Sequence, residues 1–175
     1  HISGAFAFQK GPKVKANIST PLGEVPGIDL DSITVGARNV SAFVGIGGPY
    51  RTDANDDGLL TAADPINEDA KGFVIDDLDL GIVIAERDTL ELSPVVVNAS
   101  FFAAKATANS VGFVGFGDDF KLEANNVEVS INHGSGGLPL NNPVIDFAGS
   151  FPANGTEPAG LKIDTGGTPV YIDAS

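Results

Sequence analysis

"ITVGARNVSAFVGI", residues 33–46, alternates apolar residues with small or polar ones, and it does so in two phases. Ile33, Val35 and Ala37 keep one parity, while Val40, Ala42, Val44 and Ile46 keep the other. Successive side chains of a strand point to opposite faces, so a change of parity means that one residue has been inserted into the pleat. A β-bulge or a tight strand-to-strand corner does this, and a short polar residue that tolerates unusual backbone angles, here Asn39, suits the point of insertion. Three later segments look alike: "GFVIDDLDLGIVIA" from Gly72, "AKATANSVGFVGF" from Ala104 and "KLEANNVEVSI" from Lys121. Aligned on Ala37, Ile75, Ala108 and Ala124, each puts Asn39, Asp77, Ser110 or Asn126 two residues on, followed at once by Val40, Leu78, Val111 or Val127. The repetition predicts a repeated unit in which each copy carries one inserted residue.

Outward from these segments, "HISGAFAF" puts Ile2, Gly4, Phe6 and Phe8 on one face and reads as a strand, with "KVKANIS" as its hairpin partner. "TPLGEVPGIDL" carries two prolines and two glycines and reads as a connecting loop. Near the C-terminus "VIDFAGSF", "LKID" and "PVYIDAS" are strand-like pieces between turn clusters, so strands are expected to reach both ends. "FFAAKATANSVGFVGFG", apolar in both phases, predicts a central strand buried on two sides or covered by a neighbouring molecule. The pieces add to about ten to twelve short strands, which predicts an all-β fold, a β-sandwich or an elongated double-sheet structure. Residues 1–175 are read as a single domain.

Composition agrees. The chain is 42% hydrophobic, with 22 glycines and 11 prolines to make turns and no cysteine to make disulfides. A formal net charge of −13 argues against nucleic acid and against an anionic membrane surface, both of which need clustered Lys and Arg. Cations are the natural partners. No apolar run approaches the roughly 20 residues of a membrane-spanning helix, so membrane insertion is not expected. The absence of Met and the start at His1 are expected of a processed chain or an excised segment.

One stretch departs from the apolar pattern. "YRTDANDDGLLTAADP", residues 50–65, gathers aspartates between the strand ending near Ile46 and the strand beginning near Phe73. With Asp53 as position 1, Asn55 stands at 3, Asp57 at 5, Gly58 at 6, Leu59 at 7, Thr61 at 9 and Asp64 at 12. Calcium takes six to eight hard oxygens, and this spacing offers side-chain oxygens from Asp53, Asn55, Asp57, Thr61 and Asp64 and the carbonyl of Leu59. The glycine allows the sharp bend. An ion there would relieve repulsion among the carboxylates and lock a long connection.

The loop resembles the EF-hand-type calcium loops of dockerin modules, which likewise close on Asp. The resemblance covers residues 53–64 only: dockerins follow the loop with a helix and carry a second copy, whereas Pro65 disfavours helix here and no second loop exists. A cohesin partner is therefore not implied. More loosely, the whole chain looks like a repeat unit of large secreted bacterial surface or adhesin-like proteins, on "NVSAFVG", "TDANDDG" and "GGTPVYID". That resemblance implies an extracellular or cell-surface location and a structural or adhesive role.

Other candidates are weaker. His133 in "INHGSGG" reads as a turn residue; Asp77 and Asp79 in "DDLDL", and the pair in "GDDF", offer paired carboxylates with no nucleophile or phosphate loop beside them, so no enzyme is expected. Sequons begin at Asn17, Asn39, Asn98 and Asn154. The reading is a calcium-stabilised extracellular structural module, a spacer or filament subunit joined to neighbouring copies head to tail through its terminal strands. The alternative is a carbohydrate-binding or adhesive ligand-binding module for a surface glycan, disfavoured because stacking platforms use Trp and Tyr and the chain has no Trp and two Tyr.

Overall fold

The fold was taken from a computed structural model, which describes the whole chain except residues 12, 62, 93–94, 118–119, 121, 137–140 and 175. The described residues are all-β apart from one helical turn. Nine strands are described: β1 (Ile2–Lys10), β2 (Val14–Thr20), β3 (Gly23–Ile46), β4 (Lys71–Leu92), β5 (Val95–Val114), β6 (Leu122–Gly136), β7 (Val144–Asp146), β8 (Leu161–Ile163) and β9 (Val170–Ile172). Helix α1 spans Phe147–Ser150 and is capped by the Asp146 side chain, which accepts from the Gly149 N–H.

The strands are fewer and longer than the segment count predicts, because turn-like residues lie inside them. "KVKANIS" does not pair with β1; β1 and β2 follow one another along a single edge of β3. "TPLGEVPGIDL" is not a loop beyond its first residues, since β3 begins at Gly23. Pro26 and Gly27 lie at a register shift, opposite Asn17, whose side-chain oxygen accepts from the Gly27 N–H at 3.0 Å. A bulge therefore absorbs the proline, and the strand continues. Likewise "VIDFAGSF" is strand only to Asp146 before turning into α1.

The main sheet runs β6-β5-β4-β3-β2-β7, with β1 also on β3, and every pairing is antiparallel. The β2–β7 end, α1 and a separate β8–β9 hairpin cover one face of this sheet. This is one curled sheet with a small lid, and the two matched layers of a sandwich are not seen. The inner face holds the main core: Ala16, Ile18 and Leu30 meet Val83, Phe101, Ile145, Phe147, Ile163 and Ile172. The lid sits tight on the sheet. A Cβ at Gly36 would stand 1.9 Å from the Asp164 carbonyl oxygen, so only glycine permits this approach.

The break in step is where the sequence puts it on three strands. Asn39, Asp77 and Asn126 have φ of 51°, 55° and 52°, the left-handed region that Asn and Asp tolerate best. On β5 the line crosses at Asn109, opposite both Asp77 and Asn126, and the aligned Ser110 is instead a buried inward residue. One left-handed residue reverses the alternation on β3, β4 and β6, whereas β5 changes parity at Asn109 without a positive φ. Val40, Leu78, Ala108 and Val127 thereby stay on the outer face that Ala37, Leu80, Ala106 and Val129 already occupy, because directly paired residues share a face.

Candidate metal centre

The connection from β3 to β4, residues 47–70, folds over the inner face beyond that line. Its own small core is Phe43, Val74 and Ala70, with Tyr50 packed against them. Isolated bridge pairing of Arg51 with Ile66 closes the base of the connection, and the Thr52 N–H donates to the Pro65 carbonyl at 3.0 Å.

Within the loop the aspartates turn inward onto the main chain. Asp53 accepts from the N–H groups of Asp57 at 3.2 Å and Gly58 at 2.8 Å. Asp57 accepts from the Leu59 N–H and from the Asn55 side-chain amide, each at 2.8 Å. Asp64 accepts from the Thr61 N–H at 2.8 Å and the Thr61 hydroxyl at 3.2 Å. Asp56 and Gly58, with φ of 56° and 79°, make the double bend that lets alternate side chains turn the same way. Asp64 is 6% exposed. The Thr61 N–H holds its carboxyl below the ordinary carboxylate range, burial opposes this, and the Ala54 N–H, Thr61 hydroxyl and Arg51 add to the lowering.

Asp53, Asn55, Asp57, Leu59, Thr61 and Asp64 thus lie on one short loop, as their spacing requires. The carboxylates are spread over separate N–H groups, and among the described residues no three acidic or His side chains converge as a metal-ligand set. The donors remain hard oxygens throughout, which is calcium chemistry rather than zinc or iron chemistry.

Sequence reasoning missed what holds the loop down. Asp76 of β4 is 1% exposed and receives Arg51 in a two-pronged contact, Nε to Oδ1 at 2.9 Å and Nη2 to Oδ2 at 2.6 Å. The third guanidinium nitrogen, Nη1, donates to the Asp64 carbonyl at 2.6 Å. The Ser41 hydroxyl reaches the Leu60 carbonyl at 3.2 Å. Arg51 thereby ties the closing residue of the loop to the sheet, and the Asp76 hydrogen bond raises its pKa above the usual arginine value. An aspartate at the wrong parity in "GFVIDDLDL" was the available signal.

The remaining candidates fall elsewhere. Asp79 accepts from Arg38 Nη1 at 3.2 Å and from the Asn39 N–H at 2.9 Å, so it holds the step line. Asp77 is pushed above the ordinary carboxylate range by burial first, then by Asp79 and Asp76. His133 is not in a turn: it lies on β6, opposite Phe102. The "GDDF" aspartates lie outside the described residues. A cleft of about 320 Å³ between the loop and the 166–168 turn is lined by Arg38, Asn39, Leu59, Leu60, Thr61, Thr168 and glycine and alanine, with no aromatic among its described walls. No helix is long and apolar enough to cross a membrane among the described residues. Comparison with known proteins finds no matching family model, no matching curated protein and no matching solved structure.

Proposed function

We propose that the chain is a calcium-stabilised structural module of an extracellular or cell-surface protein, a spacer or filament subunit whose terminal strands meet neighbouring copies head to tail. The observation that carries the calcium reading is the loop geometry: three alternating side chains at Asp53, Asn55 and Asp57 turned inward, a left-handed glycine after them, and Asp64 brought back to the loop base by the Arg51–Asp76 anchor. Asp53, Asn55, Asp57, Thr61 and Asp64 would hold the ion through side-chain oxygens and Leu59 through its carbonyl. The ion supplies a fixed charge that pins a long connection to the sheet. The association reading is supported by β1, which bonds to β3 along one edge, and whose first eight residues carry no Lys, Glu, Asp or Pro to blunt the other.

Melting with calcium and with chelator tests the metal. Calcium at a hundredfold excess over Kd is expected to add about 2.7 kcal/mol, and magnesium, which demands tighter octahedral geometry, far less. Asp57→Ala is expected to remove the response. Coincident melting curves for the wild type with calcium and with chelator would refute the reading. Removal of residues 1–8 is expected to leave the calcium response and abolish growth of assemblies in light scattering.

A further inference from the structure

The face of the main sheet turned away from the core carries an apolar surface that neither the loop nor the terminal edges explain. Starting at β3, the pairs run Ile33 to Ile84 to Phe102, then Val35 to Ile82 to Ala104, and continue past the step line to Val44, Phe73 and Phe113. On β3, β4 and β5 these rows contain no ionisable residue, in a chain whose net charge is −13. The next row at one end is polar: Asp31, Glu86, Ser100 and Ser135, the last two joined by their hydroxyls at 2.7 Å. Large side chains toward the two ends of these rows are open to solvent, with Phe8 76%, Val44 74% and Ile84 49% exposed, while Ala37 and Val40 between them are buried. An apolar centre with a polar rim is the composition of a protein interface, and ordinary surfaces do not carry apolar patches of this extent.

We infer that this outer face is the interface of a closed, two-fold, face-to-face dimer with a second copy of this chain. Three observations favour that occupant. The area is right: five strands about 4.8 Å apart, at about 3.3 Å per residue from Phe102 to Phe113, give a footprint on the order of 800 Å² per copy, so roughly 1,600 Å² per dimer, the usual size of a stable interface. The relief is self-complementary. Ala104, Ala106 and Ala108 make a groove down β5, flanked by a Leu80–Ile82 ridge on β4 and a Val129–Ile131 ridge on β6, so a two-fold copy lays a ridge in each groove. Two sheets of equal twist also pack aligned, about 10 Å apart. Finally, this is the broad surface on which two strongly acidic copies meet without opposing carboxylates.

Sedimentation velocity over a wide concentration range tests the proposal. At concentrations below those at which head-to-tail growth scatters light, the wild type is expected to sediment with the mass of two copies. Ala106→Glu in the groove and Val129→Asp on the ridge each bury a charge at the interface, and are expected to weaken the dimer by at least about thirtyfold while leaving circular dichroism and melting of the monomer unchanged. Both sites lie on the outer face, so one folded variant suffices. A wild type that stays monomeric at high concentration would overturn the proposal and leave the face to another partner. A dimer indifferent to both substitutions would overturn it as well.

Discussion

The two halves of the sheet's inner face, on either side of the Asn39–Asp77–Asn109–Asn126 line, are covered by different means. Toward β2 and β7 the cover is secondary structure: Ile18, Ile145, Phe147, Ile163 and Ile172 fill the space above Val83 and Phe101, all almost fully buried. Toward the other end the cover is a loop, its apolar core shrinks to Phe43, Ala70 and Val74, and a buried ion pair does the rest. Apolar burial is indifferent to pH and to ions, whereas a charged anchor under an acidic loop is not. One half thus rests on apolar burial and the other on a buried ion pair.

The largest break in that comparison comes from emptying the first core. Phe147 is fully buried, and Phe147→Ala is expected to cost about 3–5 kcal/mol in denaturant titrations, with or without calcium. Arg51→Ala leaves Asp76 buried and unpaired, and should cost about 3 kcal/mol. Here the loss should be local as well: the connection between β3 and β4 becomes the first site of protease cleavage, while Phe147→Ala opens the chain globally. If Arg51→Ala melts like the wild type and its loop resists protease, the anchor is not what holds that half.

Smaller effects sharpen the boundary. Asn39→Val places a β-branched residue at φ 51°, and about 1–3 kcal/mol of strain should appear as a lower melting temperature. The weakest prediction concerns Asp77, whose pKa is raised by burial and by neighbouring aspartates. Its folded form holds a proton more readily than the unfolded chain, so its contribution to stability falls as pH rises from the ordinary aspartate value through the raised folded value. Asp77→Asn is accordingly expected to be neutral or stabilising at pH 7, by about 0.5 kcal/mol or less, and to flatten that part of the pH profile. A destabilised Asp77→Asn would show that the carboxylate is needed there. Asp64 behaves oppositely: its lowered pKa gives stability that is present above 3.8 and is lost as pH falls through the folded value.

Much of this architecture was legible without coordinates, because period-two alternation reports directly on which face a strand residue occupies. The parity change at Asn39, Asp77 and Asn126 was visible since bulky Val, Leu and Ile residues mark the faces clearly around them. On β5 the same reasoning chose Ser110 in place of Asn109; there the residues leading up to the step, Ala104, Ala106 and Ala108, are alanines, which fit either face and mark neither. Pro26 and Gly27 read as a loop because a bulge and a turn use the same residues, and only hydrogen bonding across to Asn17 separates the two.

The sequence by itself determined that the chain is all-β, that four segments each carry one inserted residue, and that six oxygen donors from Asp53 to Asp64 share one loop. These are local properties, carried by side-chain period and by spacing within a dozen residues. Tertiary structure alone decided the rest: that one sheet curls instead of two facing each other, that Arg51 reaches a buried Asp76 on another strand, and that the outer face is apolar from the Ile33 row to the Val44 row. Each of those depends on register between strands far apart in the chain, and a slip of one residue would have put every one of these side chains on the opposite face.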